Sequence, residues 1–223
     1  MTDWEIILFF IKAPLKGQVK SRLAADLGED VALVLYRNFV LDTLETIIET
    51  AKPYRICVHP PDAVASVSDW LGQQHQFIPQ NGCDLGERME RAIEQSFADG
   101  YDRAVLIGSD IPDLPSGIFS EAFDALKTND AVIAPASDGG YYFIGFRKDT
   151  FLPTVFRDIS WSTNTVHEQT RQIFLHAGYQ VHHLAKWSDV DTMDDLRELA
   201  KRNAGTAFST TRTMRYLGGI ITR

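Results

Sequence analysis

The chain has 223 residues, of which 44% are hydrophobic, and its 30 acidic and 22 basic residues give a net charge of −8. This length suits one well-buried domain and is short for two. The acidic balance, with no long run of lysine and arginine, argues against nucleic acid as a partner, because phosphate backbones are bound by clustered positive charge.

The first predicted element is the continuous apolar run EIILFFI at residues 5–11. Its length and unbroken hydrophobicity predict a strand that is buried on both faces of a parallel sheet. The run is too short for the core of a signal peptide or for a membrane span. We therefore expect a cytoplasmic protein with no membrane partner.

The rest of the chain alternates predicted strands with predicted helices. Apolar positions recur at helical spacing from Gly28 to about Thr50, and the segment DLGERMERAIEQSFADG predicts a second helix, which is closed by Gly100. The other predicted strands are YRICVH, a marginal one near Phe77, RAVLIG, DAVIAP, YYFIGF and YQVHHL, and the other helices lie near 63–71, 116–127, 163–177 and 193–202. This order predicts an α/β fold with a mostly parallel central sheet, as one domain over residues 1–202.

The basic loop KAPLKGQVKSRL follows the first strand directly. It places Lys12, Lys16, Lys20 and Arg22 within one short segment of an otherwise acidic chain. Gly17 allows the backbone to pass close to a ligand, Lys20 supplies a point charge, and Arg22 can grip phosphate oxygens through two hydrogen bonds. The loop is predicted to bind the phosphates of a nucleotide, and a solvated basic loop is the alternative.

The strand RAVLIG runs into SDIPDLP, where Asp110 and Asp113 flank Pro112. In open α/β sheets, ligands bind beyond the carboxyl ends of the strands, so Asp110 is predicted to face a site. A merely structural carboxylate is the alternative for Asp110. Asp113 is either the N-cap of the next helix or a general base.

A second carboxylate comes from WSDVDTMDDL, after the strand YQVHHL. Asp191 stands just before a helix that Thr192 and Asp195 open as a capping-box-like pair, whereas Asp189 has the features of a solvated loop residue. Because Mg²⁺ is held by one or two carboxylates together with water and phosphate oxygens, Asp110 and Asp191 are predicted to bind Mg²⁺ or Mn²⁺. Simple electrostatic stabilisation of the helix terminus is the alternative for Asp191.

The segment ASDGGYYFIGF is predicted to border the substrate. Gly139 and Gly140 allow close approach of a ligand, and Tyr141 offers a hydroxyl and a ring face. Asp138 is a second candidate for the general base. A plain turn between strands, with core tyrosines, is the alternative.

Other residues carry weaker signals. Trp161 could stack on a sugar or belong to the core, and Asp84 is a predicted N-cap beside Arg88, which could reach a phosphate. The six histidines show no spacing typical of metal ligands. Cys57 and Cys83 are too few for a disulfide framework or a metal cluster, so free thiols are expected.

The motifs KAPLKGQVKSRL, DLGERM, LIGSDIPDLP, DGGYYFIG, WST and DVDTMDDL occur in this order over about residues 6–200. Together they resemble DUF2064, a family of small bacterial glycosyltransferase-like proteins with the GT-A, nucleotide-diphospho-sugar transferase fold. The first loop is also similar to that of phospholactate guanylyltransferases and, more distantly, of molybdenum-cofactor nucleotidyltransferases. Two departures are the absent AAGxGxR loop and a D-x-D motif replaced by Asp110 and Asp113, three residues apart.

The resemblance implies a GT-A-like, Rossmann-like three-layer sandwich. It places Asp110 and Asp191 at the family's metal positions and Lys20 and Arg22 in its phosphate-binding loop. Lys12, Gly17, Arg88, Gly139, Gly140 and Tyr141 complete the predicted nucleotide-binding set.

The predicted function is metal-dependent transfer of a sugar from a nucleotide-diphospho-sugar to a small acceptor. The alternatives are a nucleotidyltransferase, guanylyl- or cytidylyltransferase-like, that acts on a phosphorylated small molecule, and a non-catalytic nucleotide-binding module. The tail at 203–223, with MRYLGGIITR, could form a Gly-Gly hairpin, pair with the sheet edge of a second copy in a homodimer, or be mobile. The sequence leaves these possibilities open.

Overall fold

The computed structural model describes residues 4–221, and they form a seven-stranded sheet flanked by helices. The strands are β1 (Glu5–Lys12), β2 (Tyr54–His59), β3 (Phe77–Pro79), β4 (Arg103–Ile107), β5 (Ala131–Pro135), β6 (Tyr141–Arg147) and β7 (Val181–His183). The helices are α1 (Ser21–Leu27), α2 (Glu29–Glu49), α3 (Val64–Leu71), α4 (Leu85–Ala98), α5 (Gly117–Ala125), α6 (Val166–His176), α7 (Met193–Arg202) and α8 (Arg212–Ile221). None of the helices within residues 4–221 is long and apolar enough to cross a membrane.

The sheet has the strand order β3-β2-β1-β4-β6-β5-β7. β1 pairs in parallel with β2 and β4, β2 with β3, and β5 with β7. β6 runs antiparallel to both β4 and β5. The mostly parallel α/β sheet that the sequence predicts is therefore confirmed.

Helices cover both faces of the sheet, as the continuous hydrophobicity of β1 predicts. Ile7 and Phe9 belong to a buried cluster that also contains side chains of α2, α3 and α5. Ile6 and Leu8 point to the other face, where the cluster includes side chains of α4 and α6. Because alternate side chains of one strand enter two separate cores, the fold is the three-layer sandwich expected from the family resemblance.

The connections around β1 create a crevice at one edge of the sheet. From β1 the chain passes through α2 to β2 on one side, and later it passes from β3 through α4 to β4 on the other side. In doubly wound sheets, ligands bind where the strand order reverses in this way, beyond the carboxyl ends of the strands. The ends of β1 and β4 therefore mark the expected site, and we call this place the switch crevice.

Two local features differ from the predictions. Residues Ser21–Leu27 form α1, for which the sequence gives no helical signal; only Leu23 of this helix is buried, and its N-terminal flank has no side-chain cap. The N-cap role considered for Asp113 is wrong, because α5 begins at Gly117 and follows Ser116. Asp113 instead binds Arg202 and Asn203 at the end of α7.

The tail contains a helix, so the predicted hairpin is wrong. The Asp42 carboxylate accepts hydrogen bonds from the backbone amides of Arg212 (3.3 Å) and Thr213 (2.9 Å), at the start of α8. Leu217 is buried in a cluster with side chains of α1, α2 and α7. Arg212 also pairs with Glu45 at 2.6 Å, although the sequence shows no acid nearby.

The remaining expectations for residues 203–223 stay predictions. Arg223 lies outside the described residues. The division into a domain at 1–202 and a tail at 203–223 stays a prediction, and so does the homodimer.

Candidate functional site

Lys20, Asp110 and Asp191 meet in the switch crevice. The ammonium group of Lys20 donates a hydrogen bond to Asp191 Oδ1 at 2.8 Å and forms an ion pair with Asp110 Oδ1. The Lys20 side chain is only 3% exposed, whereas those of Asp110 and Asp191 are 55% and 37% exposed. Two carboxylates that are open to solvent on their outer sides therefore share one buried cation.

The backbone of Lys20 is strained. Lys20 has φ 49° and ψ 50°, a left-handed conformation that costs a non-glycine residue roughly 1–3 kcal/mol. The side chain is held under the two aspartates, and its ammonium lies 5.5 Å from the centre of the Phe39 ring. Strain that surrounding contacts maintain is typical of functional sites.

The Lys20 ammonium stays charged in this setting. Burial by itself lowers the pKa of Lys20, but the charges of Asp110 and Asp191 and their hydrogen bonds outweigh that effect, and the net shift is upward. The lysine therefore acts as a permanent positive charge between the two carboxylates.

Each aspartate is fixed by its backbone. The amide of Val190 donates to the carbonyl of Asp110 at 2.9 Å, which ties the segment after β7 to the end of β4. Asp195 accepts hydrogen bonds from the amides of Asp191 (3.0 Å) and Thr192 (2.7 Å), and Thr192 completes the capping box that opens α7. The predicted capping box is confirmed, and it places Asp191 at the helix entrance.

Tyr36, which the sequence analysis does not single out, joins the ends of β1 and β4. Its hydroxyl accepts from the Lys12 amide (2.8 Å), donates to the Lys12 carbonyl (3.0 Å) and contacts Ser109 Oγ at 3.3 Å. Burial raises the pKa of Tyr36, so the hydroxyl keeps the proton that it donates. The Tyr36 side chain of α2 therefore holds the end of β1 next to Ser109, the residue that precedes Asp110.

Asp138 and Asp189 form an acidic ledge beside the crevice. Ser137 and Ser188 contact each other through their hydroxyls at 2.8 Å, so the segments before Asp138 and Asp189 run together. Burial, followed by the charges of Asp138 and Asp191, raises the pKa of Asp189 to about 6. This ledge places a second pair of carboxylates near the first pair.

The turn that carries Asp138 requires a glycine at position 139. Asp138 Oδ1 accepts a hydrogen bond from the Gly140 amide at 2.8 Å. Gly139 has φ +91°, and a β-carbon there would lie 2.2 Å from the carbonyl oxygen of Asn164. The close approach observed at Gly139 is therefore to the protein's own backbone, and Asp138 remains exposed at the edge of the crevice.

Asp113 is saturated with hydrogen bonds. Its carboxylate, on a side chain only 1% exposed, accepts from Trp187 Nε1 (3.1 Å), from Nε and Nη2 of Arg202 (2.7 and 2.9 Å) and from Asn203 Nδ2 (2.7 Å). A base must reach the proton that it removes. The geometry thus gives Asp113 the task of anchoring the end of α7 and argues against its predicted role as a general base.

A basic group lies at the ends of β1 and β2, opposite the ledge. Lys12 and His59 are partners in the β1–β2 pairing, and the charge of Arg88 reaches His59. Burial, Arg88 and Lys12 all lower the pKa of His59, and its Nδ1 is buried with no hydrogen-bond partner among residues 4–221. Arg88 Nε donates to the backbone carbonyl of Asp84 at 3.0 Å, and burial lowers the pKa of Arg88 although the charge of Asp84 opposes this.

The other predicted ligand residues are placed differently. Arg22 is exposed on α1, and Gly17, with φ +78°, lies in the exposed loop. Tyr141 packs edge-to-face on Trp161, with ring centres 6.3 Å apart, and its hydroxyl lies 3.9 Å from Met89 Sδ. Tyr141 and Trp161 thus pack against the core beside α4, which is the alternative that the sequence leaves open for both residues.

The smaller sequence predictions have clear outcomes. Asp84 is the N-cap of α4, where it accepts from the Glu87 amide at 2.8 Å, and this prediction is confirmed. Both cysteines are free thiols, with Cys57 buried and Cys83 exposed. His59 could have been found by the rule that led to Asp110, because it too ends a buried strand.

The donor set fits a hard divalent ion. Asp110 and Asp191 already converge on one cation, and their outer sides are open to solvent. No cluster of three or more His, Cys, Asp or Glu suited to a metal occurs within residues 4–221. An ion held here would take its remaining ligands from water and phosphate oxygens, as Mg²⁺ does.

Comparisons with known proteins identify the family of the chain. The profile of DUF2064, described as "Uncharacterized protein conserved in bacteria", matches residues 43–163. A protein from Desulfovibrio desulfuricans G20, whose crystal structure is described as that of a "putative nucleotide-diphospho-sugar transferase", is 43% identical, with a TM-score of 0.96. The alignment covers 99% of this chain and 96% of that one. It therefore extends over the basic loop and α7, which the family profile leaves out.

More distant structures share the fold. CMP:2-keto-3-deoxy-manno-octonic acid synthetase, in complex with CTP, is 10% identical with a TM-score of 0.57, over 91% of this chain and 99% of that one. The 4-diphosphocytidyl-2C-methyl-D-erythritol synthase of Anaerococcus prevotii DSM 20548 is 11% identical with the same TM-score, over 86% and 92%. The comparison with curated proteins yields no match.

Proposed function

The chain belongs to the DUF2064 family, and from that premise we propose that it is a metal-dependent glycosyltransferase that moves a sugar from a nucleotide-diphospho-sugar to a small acceptor. A transferase is also what the similarity to the Desulfovibrio protein supports. The observation that carries the proposal is the convergence of Asp110 and Asp191 on one cation in the switch crevice. A site of this kind suits a diphosphate, which brings both negative charge and metal ligands.

The flanks of the crevice suggest how the substrate lies. Lys12 and Arg88 bring positive charge to the side of β2, and the buried Nδ1 of His59 has no hydrogen-bond partner among residues 4–221, which together suit the nucleotide. Asp138 and its ledge lie on the side of β5, which suits the sugar and the acceptor. The diphosphate would then lie between them, over Asp110 and Asp191.

The proposed chemistry is a displacement at the anomeric carbon of the sugar. The hydroxyl oxygen of the acceptor forms a bond to this carbon, and the bond from the carbon to the diphosphate oxygen breaks, with its electron pair leaving on the nucleoside diphosphate. Asp138 takes the proton of the acceptor hydroxyl. A divalent ion on Asp110 and Asp191 would supply a Lewis acid for the phosphate oxygens.

Lys20 and Arg22 have the task of stabilising the departing group. Negative charge on the diphosphate grows as the bond to the sugar breaks, and preorganised cations stabilise that charge most effectively. The Lys20 ammonium is already fixed in the crevice, and Arg22 lies two residues further along, at the start of α1. Gly17 provides the turn that carries the chain across this loop.

The experiment that tests the proposal is a thermal-shift screen of the wild type and Asp110→Asn. Nucleoside diphosphates and nucleotide-sugars are added with and without Mn²⁺, and bound ligand raises the melting temperature of a protein that binds it in the native state. We expect a Mn²⁺-dependent shift in the wild type and none in Asp110→Asn. The control is Asp194→Asn, whose side chain is 88% exposed on α7 and pairs with Arg197.

The products identify the reaction. Nucleotide-sugars that give the shift are incubated with Mn²⁺ and an acceptor panel, and release of nucleoside diphosphate is expected. Pyrophosphate release from nucleoside triphosphates and phosphorylated acids, with nucleotide-sugars left intact, would instead establish the nucleotidyltransferase alternative. A wild-type protein that no nucleotide stabilises, with or without Mn²⁺, would contradict both enzymes.

A further inference from the structure

We propose that Lys20 is the resident cation of the site, which gives up its two aspartates for a nucleotide phosphate when a divalent ion binds, so that nucleotide and ion bind cooperatively. The proposal rests on the proposed function and deepens it. It assigns Lys20 a second role, that of a positioning residue that couples binding of the ion to binding of the nucleotide. The observation behind it is that one ammonium group contacts both predicted metal ligands.

The first step is competition for the carboxylates. The Lys20 ammonium already offsets part of the negative charge of Asp110 and Asp191, and its contact with Asp191 is 2.8 Å long. A divalent ion that takes these oxygens leaves the ammonium without a partner, on a side chain that is 3% exposed. Because an unpaired buried charge is strongly unfavourable, the ion alone should bind weakly.

The second step is the exchange of partners. A phosphate group in the crevice offers the ammonium a new negative partner, and the lysine side chain is a flexible four-carbon stem that carries a compact charge. The Lys20 ammonium is covered by Asp110 and Asp191, whose side chains are 55% and 37% exposed, so a phosphate that approaches these two aspartates from solvent comes close to the ammonium. Once Lys20 pairs with phosphate, the two aspartates are free to act as ligands.

The third step follows from linkage. If nucleotide strengthens ion binding by some factor, the ion strengthens nucleotide binding by the same factor, and such couplings typically lie between about 5-fold and 150-fold. The coupling here depends on one charge. Removing the ammonium should therefore raise the affinity for the ion alone and reduce the coupling.

The test is titration of Mn²⁺ by calorimetry into the wild type and Lys20→Met, each with and without a panel of nucleoside diphosphates. We expect Lys20→Met to bind Mn²⁺ without nucleotide at least about tenfold more tightly than the wild type. In the wild type, the bound diphosphate should tighten Mn²⁺ by a similar factor, and in the variant by much less. The matched control is Lys16→Met in the same loop, because the Lys16 ammonium pairs with Asp30 at 2.7 Å on the surface and touches neither aspartate.

The outcomes are distinguishable. Equal or weaker Mn²⁺ binding by Lys20→Met without nucleotide overturns the resident-cation role. A wild type that binds no nucleoside diphosphate contradicts the proposed function, while the comparison of the two proteins without nucleotide still tests Lys20.

A second measurement covers loss of fold. Lys20→Met leaves Asp110 and Asp191 facing each other without their cation, which destabilises the variant without metal. Lys20→Gln retains hydrogen-bonding capacity and is melted in parallel. In both variants Mn²⁺ should raise the melting temperature more than in the wild type, and an equal or smaller rise overturns the proposal.

Discussion

Replacing Asp113 by asparagine should destabilise the protein by about 3 kcal/mol without removing a catalytic group. Both carboxylate oxygens of Asp113 accept two hydrogen bonds each, and the four donors are N–H groups of Trp187, Arg202 and Asn203. The amide nitrogen of asparagine would face one of these donors, and Arg202 would lose its ion pair. Removing one partner of a buried pair costs about 3–5 kcal/mol, and the lower end applies because the Arg202 side chain is 27% exposed and can be hydrated.

For a chain of this size, about 3 kcal/mol corresponds to a fall in melting temperature of roughly 6–12 °C. Differential scanning calorimetry measures the fall, and turnover of a nucleotide-sugar is measured well below the melting point. The comparison variant is Asp138→Asn, whose exposed side chain can still accept the Gly140 amide and whose melting temperature should stay close to that of the wild type. An Asp113→Asn protein that keeps its melting temperature but loses turnover would refute the structural role.

Three further predictions concern other parts of the fold. A β-carbon at Gly86 would lie 2.2 Å from a backbone carbonyl oxygen, so Gly86→Ala should reduce the free energy of unfolding by about 1–3 kcal/mol. Calorimetry should show a lower melting temperature for this variant but not for Gly117→Ala, which has open space around the new β-carbon. Asp42→Ala should cost about 1–3 kcal/mol and speed amide hydrogen exchange in residues 212–221 more than in the sheet, since Asp42 accepts the first amides of α8; uniform acceleration would contradict this. Burial and the neighbouring His183 lower the pKa of His167, so the native state binds fewer protons than the unfolded state below about pH 6.5 and loses stability as the pH falls. His167→Gln should therefore lose less melting temperature than the wild type between about pH 7 and about pH 5, and equal losses would assign the acid sensitivity elsewhere.

The central sheet could be predicted because its strands are buried on both faces. β1 and β4 have buried side chains on both sides, and such strands are unbroken apolar runs in the sequence. The same reasoning located Asp110, since polar residues that follow a buried strand face the ligand edge. Alternation of strands and helices then fixed the fold class.

Contacts between distant parts of the chain could not be predicted in this way. The sequence predicts only a phosphate-binding role for Lys20. Neither the left-handed backbone of Lys20 nor its contact with Asp191, 171 residues away, leaves a local signal in the sequence. The partners of Asp113 lie 74 to 90 residues further along, so its saturation is visible only in the fold. Gly218 and Gly219 favour a turn locally, but packing of Leu217 decides in favour of a helix.

The separation of Lys20 from Asp191 has a consequence for how the protein is made. A ribosome that adds about 5–20 residues per second needs roughly 10–30 s to cover the 171 residues between them. β1 and β4 pair across 98 residues, so β4 is synthesised roughly 5–20 s after β1. During this time the edge of β1 that pairs with β4 has no partner strand. The growing chain therefore needs protection from aggregation early, and the switch crevice is complete only when synthesis has passed Asp191, at the entrance of α7.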